Sequence, residues 1–217
     1  MSIVLVGSTS GSVTLQEPAV AGTTVLTLPA TSGNVVVDSA TQTLTNKTLT
    51  SPTISGTPTG VGVLTSGTAV ASTSGTSIDF TSIPSWAKRI TILLHRVSTT
   101  GTVPLMYQLG TSSGIVTTGY VSSGAYAGDS MAGTTSTSGL LNGAGGATAD
   151  TAVGLTTICN FGGNTWVSSS VCGDGNSNFA KMGGGSITLG STLDRVRITT
   201  TTGTPTFDAG SINILYE

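Results

Sequence analysis

Apolar and polar residues alternate most clearly over Arg89–Val97, the strongest predicted strand of the chain. Its positions form two sets, one on each side of an extended strand: Ile90, Ile92 and Leu94 on one side, and Thr91, Leu93 and His95 on the other. Because apolar side chains occur in both sets, the pattern predicts a central strand of a sandwich.

More strand-like segments follow in the C-terminal part: Leu105–Leu109, Ile115–Val121, Leu155–Phe161, Thr165–Val171, Ser186–Leu189, Asp194–Thr200 and Ser211–Tyr216. Gly162, Gly163 and Asn164 predict a tight hairpin turn, and the glycine-rich stretch Gly139–Ala149 predicts a long exposed loop. About eight strands with glycine-rich connections predict an all-β fold, a β-sandwich of jelly-roll type, over residues 68–217.

The N-terminal part predicts very short strands separated by glycine and proline. Apolar residues recur there about every eleven positions, as in strand-turn-strand architecture: Val13 and Leu15, then Val25–Leu28, then Val35–Val37. Pro18 and Pro29 end neighbouring segments, because proline cannot donate to a ladder. We therefore predict an N-terminal β segment over residues 1–40.

A segment with neither helical nor strand periodicity occupies residues 41–67. Its large apolar residues, Leu44, Leu49 and Ile54, are five positions apart. Such a segment cannot bury enough apolar surface alone to offset its ordering entropy. It is either a disordered linker or a stem ordered by winding around identical copies of itself.

Composition supports the all-β prediction and limits the classes of partner. Only 7% of the residues are charged, whereas the 29 Ser and 42 Thr make up about a third of the chain. Threonine suits strands, and long stretches of strong helix formers are missing. The net charge of −2 gives no reason to expect nucleic acid. We expect neither a secretion signal nor a membrane span.

Catalytic groups are sparse, and we predict no enzymatic activity and no cofactor. The two glutamates, Glu17 and Glu217, lie near the ends of the sequence, and the seven aspartates are scattered singly, which disfavours the paired carboxylates of a glycosidase. A G-x-S-x-G string around Ser112 is expected by chance in a chain this rich in glycine and serine. The sole histidine, His95, is predicted to be an ordinary strand residue.

Metal ligands are equally scarce, and we predict no metal site. A histidine site would need one His95 from each of several subunits. Asp174, Asn176 and Asn178 begin like a calcium loop, but no acidic residue follows at the twelfth position, so an exposed turn is expected.

The cysteines are predicted to be unpaired and mostly buried. A two-residue turn at Gly162 and Gly163 would place Cys159 opposite Trp166 and Cys172 near Val153. The two thiols would then be too far apart to form a disulfide.

Several segments resemble the C-terminal domain of phage and prophage tail fibre proteins. They are TSIPSWAKRITILLHRVSTTG, YQLGTSSGIVTTGY, STLDRVRITTTTG and FDAGSINILYE. The N-terminal SVTLQEPAVAGTTVLTLP and QTLTNKTLTSPTISG resemble stem segments of tail fibres and other virion proteins. The resemblance implies a homotrimer, attachment to other tail or baseplate proteins through the N-terminal region, and contact with a host-surface glycan or protein at the distal end. It also implies synthesis in the bacterial cytoplasm and a place in the virion tail.

Aromatic residues supply the candidates for that receptor contact. Trp86 and Trp166 are expected in the core or at a subunit interface. Tyr120 and Tyr126 flank a Ser/Gly stretch, and we predict them to be the exposed, receptor-binding candidates.

The leading hypothesis is thus a structural, adhesive protein of a bacteriophage virion, a short tail fibre. It would have an attachment segment (1–40), a stem or linker (41–67) and a receptor-facing domain (68–217). A capsid cement or decoration protein is the alternative, since that role also demands a small trimeric β-fold. A glycan depolymerase tailspike is disfavoured by the scarce carboxylates.

Overall fold

The structure is a computed structural model in which two compact units, Met1–Ile54 and Ser55–Glu217, are distinguished. It describes residues 2–6, 9–16, 20, 23, 43–46, 48–55, 64–145 and 151–217. None of these residues is helical, so the predicted all-β class is confirmed for the described part. Over the same ranges there is no helix with the length and apolarity needed to span a membrane.

The N-terminal unit contains an antiparallel hairpin of β1 (Ser2–Val6) and β2 (Ser12–Gln16). The strand predicted around Val13 and Leu15 is confirmed, and β1 is its unpredicted partner. The strands predicted at Val25–Leu28 and Val35–Val37 lie outside the described residues.

The segment predicted to be a stem or linker has no strand over residues 43–46 and 48–55. Its regularly spaced apolar side chains, Leu44, Leu49 and Ile54, are all exposed in the single chain. Residues 65–66, at the other end of the predicted stem, form a short strand of the C-terminal unit.

The C-terminal unit consists of two antiparallel sheets. Their strands are β3 (Thr65–Ser66), β4 (Val70–Ala71), β5 (Ser77–Phe80), β6 (Arg89–Thr99), β7 (Leu105–Thr111), β8 (Gly114–Ile115), β9 (Val121–Ala127), β10 (Met131–Ser136), β11 (Leu140–Leu141), β12 (Ala152–Gly162), β13 (Thr165–Asp174), β14 (Ala180–Thr188), β15 (Arg195–Thr200) and β16 (Phe207–Tyr216). The large sheet has the order β10-β9-β14-β13-β12-β6-β16-β3, with β4 also on β16. The small sheet has the order β11-β7-β15-β5, with β8 also on β7.

The hydrophobic core contains buried side chains from both sheets. Ile90, Ile92 and Ile158 come from the large sheet, and Leu109 and Ile198 come from the small sheet. This arrangement confirms a β-sandwich-like fold. As predicted, β6 is a central strand, since it pairs with β12 on one side and β16 on the other.

A bulge bends β6 near its middle. Arg96 adopts a left-handed conformation with φ of 53°, and Gly210 of β16 lies against it with φ of 93°. A Cβ on Gly210 would lie 2.3 Å from the carbonyl oxygen of Arg96, so only glycine fits there.

The predicted strand Ile115–Val121 is wrong. Only Gly114–Ile115 pairs with β7, and the next strand begins at Val121. Gly119, with φ of 85°, lies in the intervening loop, where the Tyr120 hydroxyl bonds back to β7. Here the backbone of Leu109 and Val116 forms hydrogen bonds with the buried Tyr120 hydroxyl, and residues 116–120 do not pair with a neighbouring strand.

The exposed loop predicted at Gly139–Ala149 is also wrong in its first half. Leu140 and Leu141 form β11, and Asn142 to Ala144 are buried. Residues 146–149 lie outside the described part. Glycines on neighbouring strands make the burial possible: a Cβ on Gly183 would lie 2.0 Å from the Leu141 carbonyl oxygen, and one on Gly124 would lie 2.5 Å from that of Gly143.

The predicted hairpin turn is confirmed between β12 and β13, with Gly163 in the left-handed conformation at φ of 54°. The cysteine register was predicted one residue off. Cys159 pairs with Val167, and Cys172 pairs with Gly154, because a bulge between Asn160 and Gly162 shifts the strands. Both thiols are unpaired, as predicted, although only Cys172 is fully buried.

Candidate functional surfaces

Tyr120 is not exposed, so the prediction of an accessible phenol at this position is wrong. Its side chain is only 1% exposed. The hydroxyl oxygen accepts a hydrogen bond from the Leu109 amide at 2.7 Å and lies 2.9 Å from the Val116 carbonyl oxygen, to which it donates. Burial raises the pKa of Tyr120 to about 12. The residue ties β7 to the following loop and is unavailable to an external ligand.

Tyr126 is half-buried on β9, where its ring meets Phe179 edge-on at a centroid distance of 5.2 Å. Its role in receptor contact stays a prediction. Trp166 is buried in the core, as expected, whereas Trp86 is 39% exposed and packs against Tyr216 at 5.7 Å. Trp86 therefore lies outside the core, and its alternative placement at a subunit interface stays a prediction.

A polar network is buried between the sheets. The Tyr107 hydroxyl accepts hydrogen bonds from the Asn142 amide and the Thr156 hydroxyl, each at 2.9 Å. Thr156 continues at 2.7 Å to Ser170, which approaches the Cys172 sulfur at 3.8 Å. Burial raises the pKa of both Tyr107 and Cys172, which keeps the phenol and the thiol protonated and the thiol unreactive. These hydrogen bonds fix the positions of Tyr107, Asn142 and Thr156 relative to one another between the two sheets.

The residues that could suggest hydrolysis are not brought together. Ser112 lies in the exposed turn between β7 and β8, which is a strand–turn–strand setting and not the strand–turn–helix of a nucleophile elbow. His95 lies in the other sheet, exposed on β6. Several carboxylates pair with cations: Asp79 with Arg197, Asp194 with Arg195, and Glu217 with Arg89.

The predicted turn after Asp174 is present, with Asn176 and Asn178 exposed. The Asp174 side chain itself is buried: it accepts hydrogen bonds from the amides of Thr151 at 3.1 Å and Asn176 at 3.0 Å. Within the described residues there is no group of three side chains suited to hold a metal ion.

The outer face of the large sheet, meaning the outward-pointing residues of β9, β10, β12, β13 and β14, is apolar and uncovered. Its exposed large apolar side chains are Val121, Met131, Val153, Leu155, Phe161, Val167, Val171 and Met182. None of the outward-pointing residues of these five strands is charged. A monomeric protein rarely exposes this many large apolar side chains on one face, so this face is a candidate interaction site.

The strand register arranges this face in rows that run across the strands. One row is apolar: Leu155, Val171, Met182, Ala125 and Gly133. The next row is rich in hydroxyl groups: Thr157, Ser169, Gly184, Ser123 and Thr135. An open groove of about 820 Å³ lies over the part of these rows formed by β10, β9, β14 and β13.

This face was not predicted from the sequence, although the sequence contains a signal for it. Apolar residues occupy both sets of alternate positions in β12 and β13, as with Ile158 against Leu155 and Trp166 against Val171. In this two-layer sandwich one set packs in the core and the other set is left exposed.

The outer face of the small sheet has the opposite character. Arg197 forms a bidentate ion pair with Asp79, with both nitrogen–oxygen distances at 2.7 Å. The hydrogen bonds to Asp79 raise the pKa of the Arg197 guanidinium. Beside the pair is an open groove of about 300 Å³ lined by Gln108, Thr199 and neighbouring hydroxyl groups. This face is suited to water or polar ligands.

Comparison with known proteins gives no match: no family model, no curated protein and no solved structure resembles the chain significantly. The two contrasting outer faces are therefore the features that bear on function.

Proposed function

We propose that the chain is a structural, non-enzymatic protein of a bacteriophage virion, a short homotrimeric tail fibre that mediates adhesion to the host cell surface. The N-terminal region attaches to the tail or baseplate, and the jelly-roll-like C-terminal sandwich faces the host. The observation that carries the proposal is the uncovered apolar outer face of the large sheet, since a monomer would gain nothing from exposing it.

The N-terminal unit supports the same proposal. Val4, Val6, Leu44, Leu49 and Ile54 are exposed in the single chain. Packing these side chains against identical copies would remove them from water. This burial stabilises the assembly by about 25 cal/mol for each Å² of apolar surface. Such a segment is more stable in an assembly than as a single chain, where its apolar side chains stay in contact with water.

The surface that stays accessible supports adhesion by many weak polar contacts. Exposed hydroxyl groups, such as those of Thr76 and Thr202, line the groove on the small sheet, next to the Asp79–Arg197 pair. Such groups exchange hydrogen bonds with the hydroxyls of a sugar or with peptide groups. The resemblance of the C-terminal phrases to tail fibre domains adds the biological setting.

Oligomeric state is the first test. Multi-angle light scattering of the purified full chain is expected to give three times the mass of 21.4 kDa. A stable folded monomer at micromolar concentration would contradict the proposal.

Adhesion and location are tested separately. The fluorescently labelled full chain is expected to bind intact cells of the bacterial host, and immunogold electron microscopy is expected to label the tail. Labelling of the capsid shell would instead support a decoration protein, and failure to bind any host strain that the phage infects would contradict adhesion.

A further inference from the structure

We propose that the groove on the outer face of the small sheet binds a neutral, hydroxyl-rich sugar unit of a host-surface glycan, through the Arg197 guanidinium and the hydroxyl groups around it. This inference rests on the proposed adhesive function, which leaves open whether the receptor is a glycan or a protein. The lining of the groove, its charge and the lack of apolar anchors beside it all favour a sugar.

Three strands, β5, β7 and β15, supply the base of the groove in cross-strand rows. One row consists of Gln108, Arg197 and Asp79. The next row consists of Met106, Thr199 and Ser77. An open groove of about 300 Å³ lies beside these rows, and the loops before β5 and after β15 add further hydroxyl groups to its lining. That volume is at the lower end of the range for small-molecule sites, and it holds roughly one or two sugar rings.

Hydrogen bonds hold the loops that border the groove in place before any ligand binds. The Thr199 hydroxyl on β15 donates to the carbonyl oxygen of Thr76, in the loop before β5, at 2.8 Å. The Gln108 side-chain amide on β7 donates to the carbonyl oxygen of Ser138, in the loop before β11, at 2.9 Å. Each bond ties a loop to a strand of the sheet, so the groove is largely preformed, which lowers the entropy cost of binding.

Arg197 keeps hydrogen-bond donors for a ligand. Its Nε and one Nη nitrogen bind Asp79, and the other Nη nitrogen takes no part in that pair. The Arg197 side chain is 34% exposed and lines the groove, where Thr76 and Thr202 are exposed as well. Guanidinium groups donate, carboxylates accept and hydroxyls can do either, whereas each hydroxyl of a sugar both donates and accepts. A sugar can therefore satisfy every kind of polar group at this site.

Charge pairing on this face favours a neutral ligand. Arg197 is paired with Asp79 and Arg195 with Asp194, each with a nitrogen–oxygen distance of 2.7 Å. An anionic ligand at Arg197 would also approach the Asp79 carboxylate, and a cationic ligand at Asp79 would approach the guanidinium. A neutral hydroxyl compound avoids both repulsions, since it can accept from the guanidinium and donate to the carboxylate.

The small sheet lacks the apolar anchors on which protein partners depend. Protein–protein contacts draw most of their affinity from a few large apolar or aromatic side chains buried at the centre of the interface. Among the described residues, no exposed large apolar side chain lies on β5, β7, β8, β11 or β15. Met106 lines the groove but is only 4% exposed. A sugar, which binds largely through hydrogen bonds, suits this face better than a protein surface does.

Several copies of the groove would have to act together. A small ligand held mainly by exposed polar groups binds with a Kd on the order of 1 mM. Identical grooves on the copies of the proposed homotrimer would raise the affinity for a repeating polysaccharide without any new contact. We therefore expect the full chain to bind polymeric glycan much more tightly than it binds the isolated sugar unit.

Arg197→Met tests the site, because it removes the guanidinium and keeps a side chain of similar length. The probe is the surface polysaccharide extracted from the bacterial host, immobilised for biolayer interferometry with the full chain. We expect binding at least about tenfold weaker than that of the wild-type chain, since a hydrogen bond from a charged group is lost. Arg195→Met is the matched control: Arg195 lies on the same strand and pairs with Asp194 but does not line the groove, so its affinity should stay unchanged.

Thr202→Val gives a second test at an exposed turn residue, in case Arg197→Met alters the circular dichroism spectrum. It removes one hydroxyl from the groove and keeps the shape of the side chain, so we expect a loss of roughly threefold to tenfold in affinity. Wild-type affinity in both folded variants would overturn the assignment of the site.

Periodate, protease and salt identify the class of ligand. Periodate cleaves the vicinal diols of sugars, so oxidised host cells should lose the labelled full chain, whereas protease-treated cells should keep it. Raising the NaCl concentration from about 0.1 M to about 0.5 M should change the affinity less than about twofold, because a neutral ligand is not screened. A tenfold loss in high salt would indicate an anionic ligand, and binding that resists periodate but not protease would indicate a protein receptor. Either result contradicts the inference.

The outcomes separate this inference from the proposed function. If the wild-type chain binds host cells through a protein, or if neither groove variant weakens binding, adhesion stands and only the sugar-binding groove fails. If the wild-type chain binds no host strain that the phage infects, the adhesive function and the groove fail together.

Discussion

Two buried tyrosines, Tyr107 and Tyr120, form hydrogen bonds that the sequence pattern does not predict. Tyr120 follows a glycine and precedes a Ser/Gly stretch, which is typical of an exposed loop tip, yet its hydroxyl bonds to the backbone of Leu109 inside the fold. Tyr107 lies on a strand predicted correctly, but its partners Asn142 and Thr156 come from distant parts of the chain. Strand periodicity assigns a side of the sheet, whereas a hydrogen-bond partner depends on which strands are brought together.

Three buried groups, the phenols of Tyr107 and Tyr120 and the thiol of Cys172, predict that the protein loses stability at alkaline pH. The pKa of Tyr120 rises from 10.0 to about 12 on folding, and burial also raises the pKa of Tyr107 and that of Cys172 above its ordinary 9.0. Above pH 9 the unfolded chain therefore binds fewer protons than the folded chain, so the free energy of unfolding falls as the pH rises. The stabilisation linked to Tyr120 is complete below pH 10 and disappears towards pH 12. We expect urea midpoints to decrease steeply between pH 9 and pH 12.

The variant Tyr120→Phe tests how much the Tyr120 hydroxyl contributes to stability. The Leu109 amide loses its acceptor, so we expect the variant to be about 1–3 kcal/mol less stable at pH 8. Its stability should then depend less on pH between 10 and 12 than that of the wild-type chain. Tyr126→Phe, at a tyrosine that does not accept the Leu109 amide hydrogen bond, is the control for loss of a phenol and should be less destabilised than Tyr120→Phe at pH 8. An alkaline slope for Tyr120→Phe equal to that of the wild-type chain would contradict the assignment.

At the scale of elements, strands rich in β-branched and apolar residues could be predicted, and strands rich in glycine and serine could not. β6, β12, β13 and β16 all correspond to predicted segments with extended bounds. β10 (MAGTTS) and the start of β14 (AKMGGG) were missed, because their residues favour turns as isolated units. Tertiary contact explains these strands: Gly183 of β14 and Gly124 of β9 leave room for the backbone of residues 141–143.

Gly183→Ala tests this explanation. The added Cβ would lie 2.0 Å from the Leu141 carbonyl oxygen, so we expect a loss of about 1–3 kcal/mol in the free energy of unfolding, as for an overpacked core. Gly133→Ala on β10 is the matched control, since its Cβ would meet the nearest atom at an ordinary 3.6 Å. Chemical denaturation of both variants gives the comparison. Equal stabilities would mean that residues 141–143 do not lie against β14 in solution.

At the scale of the whole molecule, the sequence predicted two sheets around a core but not how unlike their outer faces are. Composition, with 7% charged residues, does not tell where the charged side chains lie. In the structure the Asp79–Arg197 pair lies on the small sheet, whereas the outward-pointing residues of β9, β10, β12, β13 and β14 include no charged side chain. That separation arises from strand order, because β9, β10, β12, β13 and β14 are neighbours only after folding. The family resemblance stays an untested part of the proposal.

The C-terminal unit should fold without the N-terminal unit. The residues of the hydrophobic core cluster run from Ile78 to Ile214, all within Ser55–Glu217. We expect a fragment of residues 64–217 to give a β-type circular dichroism spectrum and a cooperative thermal transition. A fragment without a cooperative transition would show that the core depends on residues outside it.

The position of β10 at one end of the large sheet has a consequence for biogenesis. Met131–Ser136 includes neither proline nor a charged residue, the usual devices that stop a sheet edge from recruiting further strands. Newly synthesised chains would therefore expose an unpaired sheet edge as soon as the sheet forms. A high local concentration of such chains would favour aggregation through this edge, so slow synthesis should give a higher yield of correctly folded protein than rapid synthesis.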